Sequence, residues 1–464
     1  MLQWLDNDVL SPMEVYMNYL LQRKKLLRTI LIIAAPAILE MALNTMLMVA
    51  DTLMVSKMIG NDALSAVGIV NSIFFLLIFV FSSFNTGAIA LISRSYGQKD
   101  MVKADAYAGN NLSLNLIIGL IITITAIIAR DFLFMPYDIT PEVLSNAKDF
   151  YNILVVGMIF QFGSFAFASM SRGVEDTKTP MYITGFVNVV NIVFNYLLIK
   201  GVGPFPEWGI QGAAVATTAS RIIAFFLYLY FFTKGSHRIT FRASTLKIQK
   251  HLVAQLWKIS WPGAIEQFLM QSSFFVMGII VSMLDTSSEA LFRILISIES
   301  TSFMPAIGIS IATATLVGKS LGEKDIDKAT DVGYLATGMG LIWGTLAAIA
   351  FWLFPEFILS LFTDEPALLE AGAIVFRVMA FNQLFLTAYI VMSGALRGAG
   401  DTSAVMWLTS MRLWLIFTPV TYLLIRYGNM GVEAVWYGEV LSFIIFLFFI
   451  IKRFHDKKWA LIEL

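Results

Sequence analysis

Two carboxylates interrupt an otherwise apolar stretch: Glu40 and Asp51 lie within PAILEMALNTMLMVADTLMVSKMIG, residues 36–60. An acid inside a membrane-length apolar helix costs about 3 kcal/mol or more, so it marks a functional site by default. At about 100° per residue the two acids share one helix face, roughly 16 Å apart along the axis. Asn44 sits on that face, one turn beyond Glu40. Such a polar seam must look into a bundle interior or a wet cavity, because lipid offers it no partner. Two chemistries are open to it. Burial disfavours the ionised carboxylate, which suits a proton carrier near neutral pH; neighbouring oxygens would instead let the acid hold a hard cation such as Na⁺. The alternative is a permanently hydrogen-bonded acid that ties helices together. A second seam, Asn188, Asn191 and Asn195, recurs at spacings of three and four on one helix face. Its amides could ligate a cation or bridge helices by hydrogen bonds.

The elements that carry these residues are membrane spans. The chain has 464 residues, of which 58% are hydrophobic and 14% charged. Soluble domains carry about 25% charged residues, so this is an all-α integral membrane protein. Twelve apolar segments are long enough to cross about 30 Å of hydrocarbon: 30–57, 64–93, 107–129, 150–170, 181–199, 211–233, 259–284, 289–318, 331–353, 371–394, 404–425 and 431–451. With the N-terminus inside, the cytoplasmic segments hold 23 of the 32 Lys and Arg, which places both termini in the cytoplasm of a multi-pass inner-membrane protein. Ser11-Pro12-Met13-Glu14 reads as a helix start. The following residues to 28 are either an amphipathic helix on the cytoplasmic surface or an extension of span 1. They do not resemble a cleavable signal peptide. The charged linker 234–258 divides the spans six and six, giving lobes at 29–233 and 259–454 and a tail at 455–464.

The two halves repeat. GQKDMVKAD, from Gly97, matches GEKDIDKAT, from Gly322; RGVEDTKTPM, from Arg172, matches RGAGDTSAVM, from Arg397; PAILE, from Pro36, matches PGAIE, from Pro262. Nearly constant offsets of 225 or 226 make chance improbable. Six spans per copy give both copies the same topology, hence two lobes related by a pseudo-two-fold along the membrane normal, with a substrate path between them. The loop motifs are expected to cap helices and pack lobe ends.

The 6+6 plan, the ADTLMVS run, the LRGAGDT loop with its counterpart RGVEDT, and NIVFNYLLI at 191–199 resemble the multidrug and toxic compound extrusion (MATE) transporters. That resemblance implies cation-coupled export of amphipathic, often cationic, organic compounds by alternating access, with H⁺ or Na⁺ as the coupling ion and no other cofactor. It puts Asp51 at the family's helix-1 acid. It also puts Asn191 and Asn195, with Thr217 from span 6, in the cation-site region. Some members carry an aspartate where this chain has Asn195; the amide removes one proton carrier and puts a two-carboxylate proton mechanism in doubt. The repeat position of Asp51 is Met277, so ion coupling is expected in the N-terminal lobe only.

Glu40 and Glu266 are repeat-related, each four residues after a proline. They are expected as a symmetric pair facing the central cleft, or as structural links to backbone or arginine. Asn44, Asn188, Met270 and Gln271 are grouped with them as substrate cleft or secondary ion site. Glu299 is expected to pair with Arg293 or another buried arginine. Met41, Met48, Met270, Met277, Phe274 and Phe275 would supply either an adaptable cleft or apolar filler. The competing function is a flippase for a lipid-linked anionic precursor, which needs several cleft arginines; only Arg221 in the first lobe is a candidate. The chain shows no cysteine and no nucleophile elbow, P-loop or cofactor fingerprint, and its three histidines lie in charged linkers. It is therefore read as no enzyme, with no nucleic-acid partner. Small organic cations or drugs and the bilayer are its expected partners, and one chain forms a complete path as a monomer.

Overall fold

The computed structural model describes residues 12–234, 238–239 and 243–462. Every regular element among them is helical. In chain order the α-helices are α1 Pro12–Met58, α2 Asn61–Ser82, α3 Phe84–Gly97, α4 Met101–Ile128, α5 Arg130–Phe134, α6 Pro141–Val156, α7 Met158–Gly173, α8 Lys178–Lys200 and α9 Gly209–Thr233. The second half holds α10 Lys250–Val281, α11 Thr286–Ser302, α12 Met304–Gly322, α13 Ile326–Leu353, α14 Pro355–Ser360, α15 Pro366–Gly398, α16 Thr402–Met411, α17 Thr418–Arg426 and α18 Ala434–His455. Ten segments of the described residues are each long and apolar enough to cross a bilayer, and α6 with α7, bent by 46°, make an eleventh. The helix pair α2 and α3, interrupted at Ser83, accounts for the remaining segment of the twelve.

Interruptions within spans were not visible in hydropathy. Besides Ser83 and Gly157, span 8 breaks at Phe303 between α11 and α12. Span 11 contains a π-helical turn, Arg412–Phe417, between α16 and α17. At the start of the chain, residues 12–28 are one continuous helix with span 1, so of the two readings of that segment the extension is the one adopted. Its Ser11 cap lies outside the described residues.

The first part of each lobe's first span reaches into the opposite lobe. Ile30, Ile33 and Ala34 of α1 are buried in a core built otherwise from α12, α13, α15, α16, α18 and Trp459. Reciprocally, Leu252, Leu256 and Ile259 of α10 are buried with α3, α4, α7 and α9. Burying a large aliphatic side chain contributes about 1.5–3 kcal/mol, so each crossing ties one lobe to the other. At both crossings a proline, Pro36 or Pro262, lacks the N–H a helix requires and disturbs the ladder around it. The loop motifs repair the damage. The Thr177 hydroxyl donates to the Ile33 carbonyl at 2.8 Å, and the Thr402 hydroxyl donates to Ile259 at 2.7 Å.

The other loop motif forms a tight helical corner in each copy. Lys99 and Lys324 take φ of 60° and 63°. The next residue caps the following helix: Asp100 accepts from the Lys103 amide at 3.0 Å and Asp325 from the Lys328 amide at 2.9 Å. At this end of the molecule α3 and α12 cross with backbones in contact. A Cβ on Gly97 would stand 2.1 Å from the Lys319 carbonyl oxygen, and one on Gly322 would stand 2.1 Å from that of Arg94. No residue but glycine fits either place. The same end carries Arg23, ion-paired with Asp331 at 2.9 Å, and the segment after α18. It is called the terminal face below.

Candidate functional site

Five spans of the first lobe enclose a cavity of about 650 Å³. From α1 it is lined by Glu40, Asn44, Met48 and Asp51, which share a face as the spacing predicts. Three asparagines of α8 (Asn188, Asn191 and Asn195) stand opposite, and Thr217 and Arg221 come from α9, one turn apart. Helix α7 closes the wall with Gln161, Ser164 and Arg172.

Asp51 is anchored by one short chain of hydrogen bonds. The Asn195 amide donates to Asp51 Oδ1 at 2.7 Å and also to Asn191 Oδ1 at 2.9 Å. Asn191 Nδ2 reaches Thr217 Oγ1 at 3.5 Å, and that hydroxyl donates to the Ala213 carbonyl at 3.0 Å. Spans 1, 5 and 6 are thus linked through the residues expected at the cation site. Asn195 Oδ1 is buried without a donor. A buried acceptor left alone costs about 1–3 kcal/mol. A small cation beside the Asp51 carboxylate would satisfy it, and so would a proton carried on a bound water. The donor set of carboxylate, amide oxygens and hydroxyl suits a hard cation. The repeat position, Met277, is fully buried in the apolar core of the other lobe.

Glu40 and Glu266 are each linked to an arginine, the second of the two arrangements open to them from the sequence. Arg172 donates to Glu40 at 2.7 Å and Arg397 donates to Glu266 at 2.6 Å. The arginines are themselves repeat-related, each opening its RG-x-x-DT motif. Glu266 also accepts from the Thr409 hydroxyl at 3.0 Å, and its side chain is 5% exposed. It does not line the cavity, and neither do Met270 and Gln271. Met270 packs against the second-lobe core. In this arrangement the cavity lies inside one lobe, apart from Glu266, Met270 and Gln271, and Glu266 is closed off by its own arginine. Glu40 and Asn44 do reach the cavity, Glu40 as half of an ion pair. Asn188 lines it while its amide donates to the Leu43 carbonyl at 2.8 Å, a bridge reproduced in the other lobe by the Trp414 indole on Leu269 at 3.1 Å.

The structure also places three further groups. Arg221 shares the cavity with Asp51, and its Nη1 approaches the Leu154 carbonyl at 3.5 Å. Asn85, Asn111, Asn115 and Ser169 form a buried amide cluster behind the cavity, with Asn85 donating to Asn115 at 3.1 Å and Asn111 donating to Ser169 at 3.1 Å. The adjacent Asn110-Asn111 in an apolar span was the available signal. In the second lobe, Glu299 does not meet Arg293, which is exposed and pairs with Glu289 at 2.7 Å. Glu299 instead accepts from the Trp436 indole and the Asn382 amide, each at 3.0 Å, and Asn382 also donates to the buried Glu439 at 3.0 Å.

Comparison with known proteins fits this geometry. The MatE family model matches residues 36–197 and again 262–423, one copy per lobe at the repeat offset. The chain is 29% identical over 444 residues to "Probable multidrug resistance protein NorM" of Thermotoga maritima, covering 94% of this chain and 93% of that protein. It is 24% identical over 431 residues to "Multidrug resistance protein MdtK" of Yersinia pseudotuberculosis, covering 89% and 92%. Its fold is similar, with a TM-score of 0.87 at 22% identity and 93% and 97% coverage, to a structure described as the outward-facing conformation of a multidrug resistance MATE family transporter. The doubled family match, spread over both lobes, shows that this chain belongs to the MatE family of membrane transporters.

Proposed function

We propose that this transporter exports amphipathic, often cationic, organic compounds in exchange for a cation, H⁺ or Na⁺, bound at Asp51. The observation that carries the proposal is the asymmetric cavity. One lobe holds a carboxylate tied to two asparagine amides and a threonine around an acceptor without a donor, and the other lobe has a buried methionine at that position. The relatives named for multidrug resistance support the drug class. The apolar lining beside Asp51, including Met41, Met48, Phe74 and Phe165, suits large, varied apolar surfaces.

In this structure the lobes touch at the terminal face through Gly97 and Gly322. With the termini in the cytoplasm, as the distribution of Lys and Arg implies, that is the outward-facing arrangement. Binding of a cation at Asp51 couples to export only if it favours one of the two arrangements over the other. The Asp51–Asn195 contact joins α1 to α8, and α1 also enters the second lobe, so a change in that contact acts on both lobes. A lipid-linked anionic cargo is not favoured. The cavity has two arginines and two acids, and Arg172 already faces Glu40.

The test is transport of a fluorescent organic cation in proteoliposomes, with an imposed pH gradient in one set and an imposed Na⁺ gradient in another. Accumulation driven by one gradient supports the proposal and names the ion. Accumulation indifferent to both refutes coupling.

A further inference from the structure

The terminal face holds the lobes together with two latches that ought to be mirror images and are not. Lys319 of α12 reaches across to Glu175, in the loop between α7 and α8, and its Nζ lies 2.9 Å from each carboxylate oxygen. By the repeat, the mate of Lys319 is Arg94 of α3, and the mate of Glu175 is Gly400. Glu175 and Gly400 even share the left-handed backbone, with φ of 65° and 87°. Gly400 has no side chain to offer. Arg94 donates instead to the backbone carbonyl of Ile462, at 2.9 Å.

That carbonyl is held in place from the second lobe. After α18 ends at His455 the chain turns through Lys457, at φ 54°, into a short 3₁₀ turn, Lys458–Leu461. Trp459 is fully buried there. Its ring stacks on Phe454 at 4.9 Å, and its indole N–H donates to the Phe454 carbonyl at 2.7 Å. Lys457 pairs with Asp327 at 3.0 Å. A carboxylate partner at position 400 would make these contacts unnecessary for an interlobe bond; with glycine there, the folded-back segment supplies the acceptor.

We infer that residues 456–462 form a strap, anchored on the second lobe by Trp459, that stands in for the missing acid at position 400 and latches Arg94 of the first lobe when the terminal face is closed. The inference rests on the alternating-access reading above: the strap must release Arg94 before the lobes can part at this face, and it therefore biases the closed arrangement. A hydrogen bond to a charged group is worth about tenfold in an equilibrium constant.

The chain has no cysteine, so a labelled pair can be introduced without removing others. Val102 and Ile326 open the helices α4 and α13 on either side of the face and are 83% and 39% exposed. Distances between spin labels at Val102→Cys and Ile326→Cys would be measured in lipid nanodiscs. The backgrounds are the parent chain, Arg94→Ala, Trp459→Ala, a deletion of 457–464, and Lys319→Ala. Arg94→Ala, Trp459→Ala and the deletion should each raise the separated population about tenfold. Arg94→Ala combined with the deletion should add nothing further, whereas Lys319→Ala should add to either. Gly400→Glu in the deleted chain should restore the closed population by giving Arg94 an acid. If Lys319→Ala separates the lobes while Arg94→Ala, Trp459→Ala and the deletion all match the parent, the strap is wrong and alternating access stands. If even Lys319→Ala with Arg94→Ala never yields a separated population, both fall.

Discussion

Arg397→Gln should cost the protein more stability than removing both members of its ion pair. The guanidinium contacts Glu266 at 2.6 Å, with side-chain exposures of 25% for Arg397 and 5% for Glu266. Breaking a buried pair by removing one partner costs about 3–5 kcal/mol, because a charge is left in a poor dielectric. Two features lower that figure here. Arg397 is a quarter exposed, and the Thr409 hydroxyl continues to donate to Glu266. A loss of about 2–3 kcal/mol is therefore expected for Arg397→Gln. In Glu266→Gln/Arg397→Gln two neutral amides face one another, no charge is stranded, and most of the loss should be recovered. The first-lobe pair offers an internal control. Arg172 is less exposed than Arg397, at 16%, so Arg172→Gln should be the more damaging single change. The assay is thermal unfolding of purified protein in one detergent, with the singles and doubles of both pairs side by side. If Arg397→Gln is indistinguishable from the parent, or if the double mutant is worse than the single, the reading of these acids as structural ion pairs fails and a direct role in transport returns.

Three further outcomes follow from the same contacts. Thr177→Val and Thr402→Val each remove one hydroxyl from a carbonyl beside a helix proline, so each should lower thermal stability by about 1 kcal/mol, and by similar amounts; unequal losses would argue against equivalent roles. Glu439→Gln should be tolerated or stabilising, because Glu299 and Glu439 are both buried and share the single Asn382 amide as donor; Glu299→Gln should be the harmful one, since it turns an acceptor of the Trp436 and Asn382 donors into a partial donor, and the thermal ranking of the two variants decides. Gly97→Val places a side chain against the Lys319 carbonyl, so cross-linking between cysteines on the two sides of the terminal face should fall in that variant and not in a control such as Gly278→Ala, whose Cβ would meet nothing.

The parts legible in the sequence were those set by periodicity and repetition. Apolar length located the spans, and the matched PAILE/PGAIE, GQKD/GEKD and RGVEDT/RGAGDT motifs showed two copies of one unit. Helical spacing alone put Glu40, Asn44 and Asp51 on the face that lines the cavity. What stayed hidden depends on distances between remote residues. Glu40 and Arg172 are 132 positions apart, so nothing local announces that they pair. Both belong to repeated motifs, and a link to arginine is one of two arrangements the sequence leaves open for the acids, but no spacing says which arginine. The reach of the first turns of α1 and α10 into the opposite lobe is equally invisible, because an apolar face does not say which apolar partner will cover it. Breaks at Ser83 and Gly157 lack a proline or a charge at the break itself, the break at Phe303 is marked only by Pro305 in the first turn of α12, and the π turn Arg412–Phe417 reads as ordinary helix. The partners of Glu299 stay hidden for a related reason: Arg293 is close to it in sequence but points to the exposed side, beside Glu289.

The most direct measurement is gradient-driven transport by the Asp51→Asn variant in proteoliposomes, beside the parent chain and with drug binding measured separately on both. Asp51 is the one acid in the cavity not already paired with an arginine by a direct contact, and the amide replacement keeps its shape while removing its charge. Asp51→Asn is expected to bind the organic cation still but no longer to accumulate it under the gradient that drives the parent. Undiminished accumulation by Asp51→Asn would refute coupling at Asp51 and move it away from this cavity.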